Sequence, residues 1–190
     1  MPLLPEQQQA LDYARKRGTE APAETIRSRV AATYAELEAL IEALPADVAR
    51  EHRETSLWSI QEVVDHLIES ERPGIEQLAQ LLAGRDVDEA IPASLQSANP
   101  LALDWSALRH ELHRLHQDLL SLLATATDHL PLTATAAVEM VVKCAQPDGS
   151  LAPVSWRARV DWKAYSVLLL HAHNRQHIAQ IQRILNAPSP

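Results

Sequence analysis

Leu168-Leu169-Leu170-His171-Ala172-His173-Asn174-Arg175-Gln176-His177-Ile178-Ala179-Gln180-Ile181 has the spacing of an amphipathic helix. Leu170, Ile178, Ile181 and, further on, Leu185 form its apolar stripe. At about 100° per residue, His177 stands roughly 45° and His173 roughly 85° from the centre of that stripe, on the same side. The two imidazoles are one turn apart and can face a cleft between helices. Neutral imidazoles so spaced can chelate one divalent ion. His171 points about 200° away from His173 and reads as a surface or supporting residue. His66, on a separate upstream helix, is the candidate third ligand. Three protein ligands with an open position is the layout of a catalytic rather than a structural metal site.

The same period recurs three times elsewhere in the chain. Residues 23–44 place Ile26, Val30, Tyr34, Leu37, Leu40, Ile41 and Leu44 on one face, and Pro45 ends the helix. A charged loop leads to Trp58. Ser59-Ile60-Gln61-Glu62 then fits a capping box and opens a second helix through Ile60, Val63, Val64, Leu67, Ile68, Ile75, Leu78 and Leu82. Pro73-Gly74 is expected to kink or briefly interrupt it. Residues 84–103 read as a long connection, and Asp104 as the N-cap of a third helix over 105–128. The last core helix covers 163–186. Residues 131–162 break the rhythm. Val138–Lys143 is β-prone, Pro147-Asp148-Gly149 signals a turn, and Val154–Val160 alternates. The expected fold is all-α: a four-helix bundle with a short N-terminal helix and a small β-hairpin insert before the last helix. Residues 1–22 are an extension and 23–186 the bundle domain, with the hairpin at 131–162.

The 190 residues suit one domain, and scarce Gly with abundant Ala and Leu favours helix. A net charge of −8 without a basic cluster argues against nucleic acid or an anionic membrane as partner. The apolar run from Ser166 to Leu170 is too short to span a bilayer. A single cysteine, Cys144, and an N-terminus unlike a signal peptide point to the cytoplasm.

Other residues carry weaker signals. His110, His113 and His116 read as a solvated histidine-rich face of the third helix, with His116 nearest the stripe. His52 and His129 lie in or near loops. Cys144 reads as packing, with a nucleophilic role as its alternative. Trp58 is expected to staple the second helix, and Trp156 and Trp162 to line a pocket or a dimer contact, or simply to pack. On the residues alone, a metal site and a set of packed histidines both stay open.

Two motifs give the chain a family likeness. Trp58-Ser59-Ile60-Gln61-Glu62-Val63-Val64-Asp65-His66-Leu67 resembles the second-helix motif of the DinB/YfiT-like superfamily, W-[S/T]-x-x-E-x-x-x-H-L. His173-Asn174-Arg175-Gln176-His177-Ile178-Ala179-Gln180-Ile181 resembles its last-helix motif, H-x-x-x-H-x-x-Q-I. The resemblance implies an up-down-down-up bundle and often a homodimer. It implies a divalent metal, zinc or nickel, held by His66, His173 and His177. It also implies a small-molecule substrate and, in some members, a low-molecular-weight thiol such as bacillithiol or mycothiol. The expected activity is activation of a thiol or water by the metal, with thiol S-transfer first. Metal-dependent hydrolysis and a non-catalytic bundle with a vestigial site are the alternatives. Glu69 and Gln180 are candidates to orient the imidazoles. Arg175, Arg157 and Arg159 are candidates to meet the carboxylates of a thiol cofactor.

Overall fold

The computed structural model describes residues 3–53, 57–145 and 149–187. α1 (Pro5–Ala14) runs into a π turn (Arg15–Thr19) and is followed by α2 (Ala23–Glu42). A short α3 (Ala46–Arg50) lies within the stretch expected to be loop. Next come α4 (Ile60–Leu82), α5 (Trp105–Ala124) and the antiparallel strands β1 (Ala136–Ala145) and β2 (Leu151–Val160). α6 (Trp162–Tyr165) passes through a π segment (Ser166–Ala172) into α7 (His173–Asn186). The fold is mostly helical, with the expected two-stranded hairpin. Part of the hairpin's turn, Pro147 and Asp148, lies outside the described residues.

Local chemistry sets the helix starts. The Ser59 hydroxyl accepts from the Glu62 amide while the Glu62 carboxylate accepts from the Ser59 amide, so the capping box closes both ways. Asp104 accepts from the Ala107 amide at the head of α5. Asp161 accepts from Lys163 and Ala164 at the head of α6. Helix α4 runs without a break through Pro73, so of the expected kink or brief interruption the interruption does not occur. A proline removes one donor, yet the apolar stripe on either side stays buried and holds the helix together. The second departure is the π segment, which hydropathy alone does not mark.

Two apolar clusters stack along the bundle. Ile26, Val30, Leu119, Leu123, Trp162, Tyr165, Val167 and Leu170 fill the end covered by the hairpin. Leu37, Ile41, Val63, Val64, Leu67, Leu112, Leu115, Ile178 and Ile181 fill the other. Trp162 belongs to this core, only 1% exposed, and Trp156 packs half-buried beside it. Hydrogen bonds tie the helix ends. Gln61 donates to the carbonyls of Pro100 and Leu103, Trp105 to that of Leu44, and Tyr165 to Gln77 Oε1. The hairpin's register pairs Ala136 with Val160 and Val142 with Val154. Even-numbered residues from Ala136 to Cys144 face inward, and Arg157 and Arg159 lie on the exposed face. Among the described residues no helix is long and apolar enough to cross a membrane.

At Gly18 the N-terminal segment packs directly against the backbone of α6. A Cβ on Gly18 would lie 2.5 Å from Ala164 Cα and 2.8 Å from Ala164 N, which is backbone that cannot rotate away. Gly18→Ala is therefore expected to destabilise by about 1–3 kcal/mol, the range for overpacking. Urea melts with an unchanged midpoint would show that the turn shifts freely.

Candidate metal centre

His66 is carried by α4 and is 1% exposed. His173 and His177, half-buried, open α7 where the π segment returns to α-helix. The three Nε2 atoms converge: His173 Nε2 stands 3.1 Å from that of His66 and 3.0 Å from that of His177. Among the described residues this is the group of histidine, cysteine and carboxylate side chains close enough to share an ion. Nitrogens about 2.0–2.1 Å from one zinc ion, at right to tetrahedral angles, lie about 2.9–3.4 Å apart, so the spacing fits.

The outer nitrogens decide which way the lone pairs point. His66 Nδ1 lies 2.7 Å from the Leu95 carbonyl, an acceptor only, so Nδ1–H donates and Nε2 is left bare. His177 Nδ1–H donates to Gln180 Oε1 at 2.9 Å. Two bare nitrogens thus aim at His173 Nε2, and one His173 proton can satisfy only one of them. A cation satisfies all three, so the donor set fits a divalent metal. His173 Nδ1 is buried without a hydrogen-bond partner among the described residues. The Leu95 carbonyl is held by its neighbours: Ser97 N donates to buried Asp65 and Gln96 Nε2 to the Glu62 carbonyl. Nothing local in the sequence reveals that support, although an Asp beside a His on an apolar helix is its one trace. Gln180 lies where the sequence places it, whereas Glu69 pairs with Arg72 instead.

Burial holds all three imidazoles neutral. His173 is pushed down to about 3 by burial, then by His177 and His66. His177 is pushed down to about 4 by burial and His66, against the opposing Gln180 bond. His66 is lowered by burial, opposed by the Leu95 bond and Asp65. A base whose folded pKa is depressed protects the fold above its unfolded pKa, about 6.5, and that protection fades as pH falls below it. Metal-free protein should therefore melt progressively earlier from pH 6.5 down towards 4. A His173→Leu/His177→Leu variant should show a shallower slope over pH 6.5–5, and parallel curves would contradict burial of these imidazoles as the cause.

The cluster opens on a cavity of about 1090 Å³. α1 contributes Tyr13, β1 contributes Val138, Met140 and Val142, and the π segment contributes Leu168 and Leu169. Trp58 stands beside the cluster, its ring 5.1 Å from that of His66 and near-parallel to His177 at 6.4 Å. Arg175, Arg183 and Lys143 also line the cavity, with Arg175 ion-paired to Glu36. Arg159 is paired with Asp86 and Asp88, away from the cavity, and Arg157 is on the same outer face. His171 bonds Thr33 through Nδ1 at 2.7 Å and lines the cavity from outside the triad. Cys144 is buried on β1, and neither it nor Trp156 or Trp162 lines the cavity. His110 and His113 are exposed as expected, but His116 is completely buried, so the solvated face does not include it.

Comparison with known proteins agrees with this architecture. The model of the DinB superfamily matches residues 29–181. YfiT from Bacillus subtilis, a probable metal-dependent hydrolase with an unusual four-helix bundle topology, is similar with a TM-score of 0.58, 18% identity and 85% of each chain covered. A mycothiol-dependent maleylpyruvate isomerase is similar with a TM-score of 0.57 and 11% identity, over 90% of this chain and 63% of that one. The chain thus spans less than two thirds of that isomerase. No curated protein matches the sequence. At these identities the likeness to the two structures is one of fold.

Proposed function

The chain belongs to the DinB superfamily, and from that footing we propose a metal-dependent enzyme in which His66, His173 and His177 hold one zinc or nickel ion. The reaction is S-transfer of a low-molecular-weight thiol such as bacillithiol to an electrophilic small molecule: the thiol gives up its proton, its sulfur bonds the electrophilic carbon, and the displaced leaving group departs with its electron pair. The observation that carries the reading is the convergence of three Nε2 atoms at the wall of a large cavity. A divalent ion held there supplies Lewis acidity, which lowers the pKa of a thiol or water taken into an open position.

The protein's own groups do the rest. The Leu95 carbonyl and Gln180 fix two ring orientations. Trp58 shields one side of the cluster. Met140, Val142, Leu168 and Leu169 offer an apolar wall to the electrophile. Arg175, with Lys143 and Arg183, supplies positive charge for the thiol's carboxylates. Arg157 and Arg159 are not among the residues that line the cavity and are left out of that role. Among the described residues no carboxylate joins the cluster.

The proposal includes the up-down-down-up order. It is supported by the hydrogen bonds of Gln61 to the Leu103 carbonyl and of Trp105 to the Leu44 carbonyl, which join the start of α4, the start of α5 and the end of α2. The bond from Tyr165 to Gln77, which joins the segment leading into the last helix to the later part of α4, supports it too.

The test is an assay of metal-loaded protein with thiol and electrophile, beside a panel of esters and amides. Product that requires both thiol and electrophile, and that vanishes in His177→Ala, supports transfer. Ester or amide cleavage without thiol would replace it with the hydrolytic reading.

A further inference from the structure

Each long helix sends a polar side chain into the middle of the bundle. Tyr34 and Glu38 come from α2, Glu71 from α4, His116 from α5 and Asn174 from α7. Tyr34, Glu71, His116 and Asn174 are each no more than 1% exposed. His116 Nδ1 lies 2.6 Å from Glu38 Oε1, and its Nε2 lies 3.4 Å from Glu71 Oε2. The Tyr34 ring stacks on His116 at 3.7 Å. Asn174 Nδ2 donates to Glu71 Oε1 at 2.8 Å and to the Leu170 carbonyl at 3.2 Å. The chain of contacts thus runs from half-buried Glu38 to a carbonyl inside the π segment.

This arrangement is costly. Asn174 Oδ1 is buried without a hydrogen-bond partner among the described residues, and Glu71 Oε2 and His116 Nε2 face each other at 3.4 Å as an ion pair without forming a well-aligned hydrogen bond. A partly satisfied buried network stabilises less than an apolar core of the same shape. Its value must lie elsewhere, and its position indicates where. Glu71 is on the helix that carries His66, and Asn174 directly follows His173. The Glu71–Asn174 bond therefore fixes the two ligand-bearing helices against each other. It does so where the π segment gives way to α7, and such π turns are frequent at functional sites.

We propose that Glu71, His116 and Asn174 are positioning residues that set the register between α4 and α7 and thereby tune the metal affinity of the three-histidine cluster. This rests on the metal reading of that cluster. Glu38 anchors His116 from the surface side. The Asn174 amide holds a carbonyl of the π segment, so His173 and His177 leave that segment at one fixed rotation.

The experiment is calorimetric titration of metal-free protein with Zn²⁺, with Co²⁺ absorption spectra as a report on geometry. The variants are Glu71→Met/His116→Leu/Asn174→Leu, which replaces the network with apolar groups, and Asn174→Leu alone. The triple variant is expected to keep its helical circular dichroism and to melt no lower than wild type. It should nevertheless bind Zn²⁺ about tenfold more weakly, the low end for groups that support metal ligands, and its Co²⁺ spectrum should change. Asn174→Leu should show the same direction and serves if the triple variant fails to fold. Zn²⁺ affinity within twofold of wild type and an unchanged Co²⁺ spectrum would overturn the proposal while leaving the metal site standing. A wild type that takes up no metal would overturn the metal reading itself, and this proposal with it.

Discussion

A His173→Ala variant is expected to lose stable metal binding and, with it, metal-dependent turnover by at least about 10³-fold, while keeping its fold. His173 Nε2 is the hub of the triad, within hydrogen-bond distance of both other Nε2 atoms. Without it, His66 and His177 remain on separate helices with no ligand between them. Charge stabilisation by a bound metal is worth several kcal/mol in the transition state, and each 1.36 kcal/mol is tenfold in rate. The fold should survive, because His173 lies at the edge of the cavity and its Nδ1 makes no hydrogen bond that must be replaced. Circular dichroism and a urea melt check the fold, and calorimetric titration with Zn²⁺ checks the site. Turnover that persists in a correctly folded variant would show that the chemistry occurs elsewhere.

The second large effect is on stability. His116→Ala is expected to cost about 3–5 kcal/mol, because it leaves the Glu71 carboxylate in the core without the imidazole that faces it at 3.4 Å. Burial already raises Glu71 above the usual carboxylate range, and His116 is the largest influence opposing that rise. Removing His116 raises the Glu71 pKa further. A group whose folded pKa lies above its unfolded value destabilises increasingly as pH climbs past the unfolded pKa. The deficit of the variant should therefore be larger at pH 8 than at pH 5. Urea melts at the two pH values measure it. A deficit below about 1 kcal/mol at both, the level of an ordinary surface change, would mean that Glu71 finds another partner. The apolar triple replacement behaves differently because it leaves no charge behind: one orphaned charge is costly, whereas an exchanged network is not.

The parts of the molecule that follow from local rules were legible in the sequence. The capping box at Ser59 and the N-cap at Asp104 depend on residues within three positions, and both form. The hairpin follows from alternation, and the i, i+4 spacing brings His173 and His177 together. Features that are long-range, or that cost little in pattern, are hidden from such rules. The π segment leaves the burial of Val167 and Leu170 intact, so the hydrophobic period does not mark it. His116 sits among His110 and His113 in sequence, and its burial depends on Tyr34, Glu38 and Glu71 from two other helices. The support of His66 by Leu95 spans 29 residues of separation. The cavity walls come from α1 and β1, which the wheel of the last helix does not reveal. Charge alone makes Arg157 and Arg159 candidates for an anionic cofactor, and neither is among the residues that line the cavity.

Metal content, measured by elemental mass spectrometry on untagged protein purified without added metal, is the decisive test of the three-histidine site. The comparison is a His66→Ala/His173→Ala variant prepared in parallel. About one divalent ion per chain is expected in the wild type and none in the variant. No ion in the wild type after exposure to Zn²⁺ and Ni²⁺, or an equal load in both proteins, would contradict the metal centre.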